Sequence, residues 1–131
     1  MKKKINNTKI ILFLIFSFLN FYKIGLAMEN KTFYDFEIES INGEIISLKK
    51  YKGKAVLIVN VASNCGFTKQ YADLQKLWEN YKDNLIVLGI PSNQFGGQEP
   101  GTNNEIKSFC ETNFNINFPM TSKYHVKGEN A

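Results

Sequence analysis

The residues that most constrain the fold are Ala55-Val56-Leu57-Ile58-Val59-Asn60-Val61, an uncharged run rich in β-branched side chains and without alternation. Such a run reads as a strand buried on both faces, the habit of parallel sheets covered by helices. Leu85-Ile86-Val87-Leu88-Gly89-Ile90 is a second run of the same kind. Between them, Tyr71, Leu74, Leu77, Trp78 and Tyr81 recur at helical spacing, so residues 68–81 are expected to form an amphipathic helix with Trp78 in the core. Strand, helix, strand implies a parallel pair joined by a right-handed crossover.

The flanking segments complete one layered unit. Tyr34-Asp35-Phe36-Glu37-Ile38-Glu39 alternates apolar and acidic residues, the signature of a strand with one wet face. Asn42-Gly43 then predicts a two-residue hairpin turn, with residues 44–48 as the return strand. After Pro91 comes a polar loop, Ser92-Asn93-Gln94-Phe95-Gly96-Gly97-Gln98-Glu99-Pro100-Gly101. Thr102-Asn103-Asn104-Glu105 has the form of a capping box, opening a helix that buries Ile106, Phe109, Cys110 and Phe114. Phe118-Pro119-Met120 begins a further extended segment. The order hairpin, strand, helix, strand, loop, helix is the first half of a thioredoxin-like α/β layer fold. Sites in such sheets form beyond the C-terminal ends of the parallel strands, and two loops converge there.

The charge argument depends on setting residues 1–27 aside. Lys2, Lys3, Lys4 and Lys9 precede the apolar residues 10–19, and Gly25-Leu26-Ala27 offers a small-x-small cleavage site. That is the layout of a secretory signal peptide, with an apolar core short against the roughly 20 residues a spanning helix needs. Cleavage after Ala27 is expected, leaving residues 28–131 as a single exported domain in a periplasmic or other extracytoplasmic compartment. The whole chain carries a net charge of +4. The leader holds five lysines and no acid, so the remaining 104 residues have 11 lysines against 12 acids and a net charge of −1. The basic balance belongs to the leader and carries no nucleic-acid signal.

Two cysteines, Cys65 and Cys110, and one histidine, His125, lie too far apart in sequence to form a zinc site by spacing. No metal or organic cofactor is called for. Cys65 falls between the end of the first buried strand and the start of the expected helix, where unpaired amide donors favour a thiolate.

Three stretches make the chain recognisable: Asn60-Val61-Ala62-Ser63-Asn64-Cys65-Gly66-Phe67-Thr68, then residues 91–101, then Phe118-Pro119-Met120 with Val126-Lys127-Gly128-Glu129-Asn130-Ala131. In this order they closely resemble the glutathione peroxidase family. The resemblance covers the chain from about Thr32 onward and implies a thiol peroxidase that protects against oxidative stress. Cys65 would occupy the peroxidatic position, attacking hydrogen peroxide or an organic hydroperoxide and becoming a sulfenic acid. Gln94 matches the family glutamine that hydrogen-bonds the catalytic sulfur, a job suited to an uncharged donor. Cys110 matches the resolving cysteine of thioredoxin-dependent members. It would condense with the sulfenic acid after its helix partly unwinds, and thioredoxin or a similar protein would reduce the disulfide. Read from the residues alone, Cys110 is a buried core thiol beside Phe109, and the resolving role is the reading preferred to it.

The sequence also departs from the family pattern. Ser92 stands where many relatives carry a cysteine, and Asn64 where lysine is frequent. The lack of arginine disfavours a site built to grip glutathione carboxylates, although glutathione remains the alternative reductant. The family pattern continues past Ala131 with a strand carrying Trp-Asn-Phe, another strand and a closing helix. The Trp and Asn complete the family's catalytic set. A chain without them is expected to leave a sheet edge unpaired, which makes a catalytically impaired thioredoxin-like remnant or a binding domain the alternative function. A dithiol disulfide oxidoreductase is disfavoured, since Thr68 stands where Cys-x-x-Cys needs its second cysteine.

Overall fold

The two uncharged runs pair in parallel in the computed structural model, which describes residues 31–129. Strand β3 (Ala55–Val61) lies beside β4 (Leu85–Pro91) in unbroken register from Ala55 opposite Leu85 to Val61 opposite Pro91. Ahead of them, β1 (Glu37–Glu39) and β2 (Ile45–Ser47) form an antiparallel hairpin with Ile38 opposite Ile46. Helix α1 (Tyr71–Tyr81) makes the β3-to-β4 crossover, and α2 (Asn103–Phe114) follows β4. The expected leader, residues 1–27, and its cleavage site lie outside the described residues.

The period of two along a strand sorts side chains between two cores. Val59 and Val61 of β3 and Leu85 and Val87 of β4 face the helices, packing with Tyr71, Ile106, Cys110 and Phe118. Val56, Ile86 and Leu88 face the other way, against Ile46, Leu48 and Tyr51 of the hairpin and the 3-10 turn after it. Strand β4 is buried along almost its whole length. Strand β3 is not, contrary to expectation: Leu57 is 38% and Ile58 50% exposed. Among the described residues no strand pairs with the outer edge of β3.

Several boundaries differ from the periodicity reading. Residues 33–35 form a 3-10 turn capped by Thr32 and Asp35, so β1 starts only at Glu37. The Asn42-Gly43 turn is a three-residue loop: Gly43 N–H bonds the Ser40 carbonyl at 2.9 Å and Ser40 N–H the Glu44 carbonyl at 2.7 Å. Gly43, at φ +83°, supplies the left-handed residue that this hairpin form requires. The α-helix starts at Tyr71, preceded by a 3-10 turn over Thr68–Gln70, and Tyr81 is exposed, off the core face. Helix α2 opens on the expected capping box, with Ile106 and Cys110 buried.

The extended segment at Phe118-Pro119-Met120 joins the two sheets. Met120 bridges Gly89 in parallel, and Thr121 bridges Ser40 antiparallel. Backbone bonds of 2.9–3.0 Å tie residues 119–122 to Glu39, Ile41 and Gly89. The hairpin is thereby fixed against the parallel pair, and the loops after β3 and β4 emerge at one end.

Candidate active site

The turn after β3 is built around one hydroxyl. Thr68 Oγ1 accepts from the Cys65 N–H at 3.0 Å, and its own proton lies within reach of the carbonyls of Cys65 (2.7 Å), Ala62 (2.9 Å) and Ser63 (3.3 Å). Thr68 N–H closes the turn on the Cys65 carbonyl at 3.1 Å. The chain therefore doubles back within four residues and presents the Cys65 side chain beside the strand end. The thiol is free, half-buried and lines a cleft of about 60 Å³ with Val59, Ala62, Phe67 and Leu74. The Phe67 N–H donates to Cys65 Sγ at 3.5 Å. This turn amide, rather than the first turn of an α-helix, is the donor at the sulfur, because the regular helix begins six residues after Cys65.

Gln94 does not serve that sulfur in this arrangement. Its Oε1 accepts from the Val126 and Lys127 amides at 2.6 and 2.9 Å. Its Nε2 donates to the Lys127 carbonyl at 2.9 Å and lies 3.0 Å from His125 Nδ1, donating to it when the ring carries its proton on Nε2. The carboxamide is thus fully occupied by residues 125–127. The loop that carries Gln94 meets the Cys65 turn further along, through Gln98 and Glu99. Asn64 N–H donates to the Gln98 carbonyl at 3.0 Å, and Ser63 N–H to Glu99 Oε2 at 2.8 Å.

Cys110 is a free thiol, 1% exposed, on the core face of α2. Burial pushes its thiol up to about 11; the Tyr71 hydroxyl opposes this, and Glu99 and Glu111 add to it. Tyr71 is itself raised by burial, and its hydroxyl lies against Cys110 without a hydrogen-bond partner of good geometry among the described residues. The two cysteines are both free thiols and line different clefts. Sequence reasoning passed over Glu99. It is 1% exposed, and burial raises its carboxyl, against the lowering effect of Ser63 and Lys123. An acid in a Gly- and Pro-rich loop reads locally as solvated, and only its partner 36 residues earlier marks it as buried. No group of His, Cys, Asp and Glu among the described residues is arranged to hold a metal ion.

Comparison with known proteins bears on this site. The sequence profile of the glutathione peroxidase family matches residues 33–131. The glutathione peroxidase homolog BsaA of Staphylococcus epidermidis is 50% identical over 101 residues, covering 76% of this chain and 64% of that protein. The hydroperoxy fatty acid reductase gpx1 of Synechocystis is 48% identical over 106 residues, covering 80% of this chain and 63% of that protein. The crystal structure of T. cruzi GPX1 superposes with a TM-score of 0.57 at 33% identity, over 77% of this chain and 60% of that one. The chain thus spans less than two thirds of the length of the curated relatives it matches. The fold is thioredoxin-like, with the hairpin ahead of the parallel pair. Both the Cys65 turn and the Gln94 loop fall inside the matched residues, and the chain belongs to the glutathione peroxidase family.

Proposed function

We propose that the protein is a thiol peroxidase in which the Cys65 thiolate attacks hydrogen peroxide or an organic hydroperoxide. The observation that carries this reading is the Cys65 turn itself: a half-buried free thiol at the end of β3, beside a cleft and with a backbone N–H on its sulfur. Attack breaks the O–O bond, forms Cys65–SOH and releases the alcohol, or water from hydrogen peroxide, once the leaving oxygen takes a proton. Condensation with the Cys110 thiol then releases water and gives a Cys65–Cys110 disulfide, which a thioredoxin-like dithiol or glutathione reduces. Because Cys110 is buried and pushed up to about 11, this second step requires α2 to open first. A Synechocystis relative named as a hydroperoxy fatty acid reductase supports organic hydroperoxides as substrates. The basic, apolar leader supports export and a role in oxidative defence outside the cytoplasm.

The test is one equivalent of hydrogen peroxide added to the reduced protein, followed by peptide mass spectrometry. The expected product is a Cys65–Cys110 disulfide, with peroxide consumption lost in Cys65→Ser. If Cys110 stays free while Cys65 stops at sulfenic acid and a second equivalent takes it to sulfinic acid, the two-cysteine cycle is wrong. One observation favours the second reading, a catalytically impaired or binding domain: Gln94 is taken up by residues 125–127 instead of the sulfur. A chain that consumes no peroxide while Cys65 remains alkylatable would establish that reading.

A further inference from the structure

The loop between β4 and α2 carries a carboxyl group that the proposed chemistry does not use. Glu99 is 1% exposed, a burial carboxylates rarely show without partners. Its Oε2 accepts from the Ser63 N–H at 2.8 Å and the Ser63 hydroxyl at 3.2 Å, while its Oε1 is buried with no partner among the described residues. The backbone of Glu99 is fixed as well. Its N–H donates to Asn93 Oδ1 at 2.9 Å, and Lys123 Nζ lies 3.4 Å from its carbonyl oxygen. One residue earlier, the Gln98 carbonyl accepts from Asn64 N–H at 3.0 Å. The loop therefore grips the two residues immediately before Cys65.

What this does to the thiol follows from the other side of the turn. The Ser63 carbonyl and the Cys65 amide both lie on Thr68 Oγ1, so the turn is clamped between a carboxyl group behind and a hydroxyl in front. In this clamped form the Phe67 N–H meets Cys65 Sγ at 3.5 Å. An apolar side chain at 99 can fill space but cannot accept the Ser63 N–H. A buried donor left unpaired is unfavourable, so the peptide would turn toward water and carry Cys65 with it.

We propose that Glu99 is a positioning residue for Cys65, acting through Ser63 to hold the thiol at the end of β3 against the Phe67 amide. The proposal rests on the reading of Cys65 as the reacting thiol and adds the group that aims it.

The experiment uses the full chain carrying Cys110→Ser, so that Cys65 is the sole thiol. Alkylation by iodoacetamide, single-turnover oxidation by hydrogen peroxide and the thermal midpoint are measured with Glu99 intact, with Glu99→Gln and with Glu99→Ala. Glutamine keeps an oxygen that accepts from Ser63 but puts two unpaired donors into a dry site. It should lower the thermal midpoint yet alkylate within about threefold of the parent, whereas the folded alanine variant should be slower by about tenfold or more. Stability and reactivity then part company, which a merely structural brace does not produce. A folded alanine variant that alkylates at the parent rate overturns the proposal, and so does a glutamine variant as slow as alanine. Should alanine not fold, Glu99→Asp, whose carboxylate is withdrawn by one carbon, takes its place: slowing is expected, and the parent rate refutes. If the alkylation pattern holds but no form reacts with peroxide, the peroxidase reading fails and the positioning role stands.

Discussion

Cys110 is held neutral by its surroundings, and that has a consequence for stability. Its thiol is pushed up from 9.0 to about 11, burial being the first cause. In the unfolded chain the same thiol ionises from about pH 9. A group whose folded value is the higher one stabilises fully below its unfolded value, and that stabilisation is lost as pH rises through the folded one. The loss reaches about 1.4 kcal/mol per pH unit between the two. Tyr71, also raised by burial, joins in only above its ordinary value of 10.0. Urea midpoints measured from pH 7 to 10 should therefore fall above pH 9 for the parent chain and stay flatter for Cys110→Ser. Parallel curves would place the thiol in water. Cys65, half-buried, has the exposure that a nucleophile needs and Cys110 lacks.

At the scale of elements, α2 decides when Cys110 can be reached. Its first turn is a reciprocal cap: Thr102 Oγ1 accepts from the Glu105 N–H at 3.3 Å, and Glu105 Oε2 accepts from the Thr102 N–H at 2.7 Å. Thr102→Ala removes the first of these bonds and should cost about 1 kcal/mol. If α2 opens as a unit, that loss makes Cys110 label about fivefold faster while hydrogen exchange in β4 stays unchanged. Equal acceleration in both would mean that Cys110 is reached only by global unfolding. This cap was legible in the sequence because its parts are three residues apart. The Thr32–Asp35 cap has the same spacing, yet the acidic and apolar alternation over residues 34–39 reads as strand and hides the 3-10 turn. A six-residue alternation does not say where extended backbone begins. Strands β3 and β4 were legible from β-branched runs, but the exposure of Leu57 and Ile58 depends on what lies across the sheet, which a run cannot encode. The same limit governs the site. Cys65 could be placed from its neighbours in sequence. The partners of Gln94 come from 31 to 33 residues away and the partner of Glu99 from 36 residues away.

At the largest scale, the backbones of the hairpin and the parallel pair are tied together at Gly89 among the described residues. There the segment of residues 119–122 lies against β4, with Gly89 N–H on the Pro119 carbonyl at 3.0 Å and Thr121 N–H on the Gly89 carbonyl at 2.9 Å. The same segment bonds Ile41 and Glu39 of the hairpin, so it ties the hairpin's backbone to that of the parallel pair, beside their direct side-chain packing. A methyl group at 89 would stand 3.1 Å from Phe118 Cε2 and 3.4 Å from Met120 Cγ. Both side chains are buried, Phe118 at 3% and Met120 at 6% exposure, and both must shift to admit the methyl group. Overpacking of this kind costs about 1–3 kcal/mol. Gly89→Ala should therefore lower the unfolding free energy read from urea titration by that amount without any backbone strain of its own, since Gly89 is not among the residues with positive φ. If the segment is what couples the sheets, hydrogen exchange should quicken at Ser40 and Ile41 in the hairpin as well as at Gly89. Amides of β3 below Val61, paired only with β4, should keep their protection relative to the global unfolding free energy. A loss confined to residues around 89 would mean that the hairpin is held by its own packing against Ile86 and Leu88, and that residues 119–122 merely lie across it.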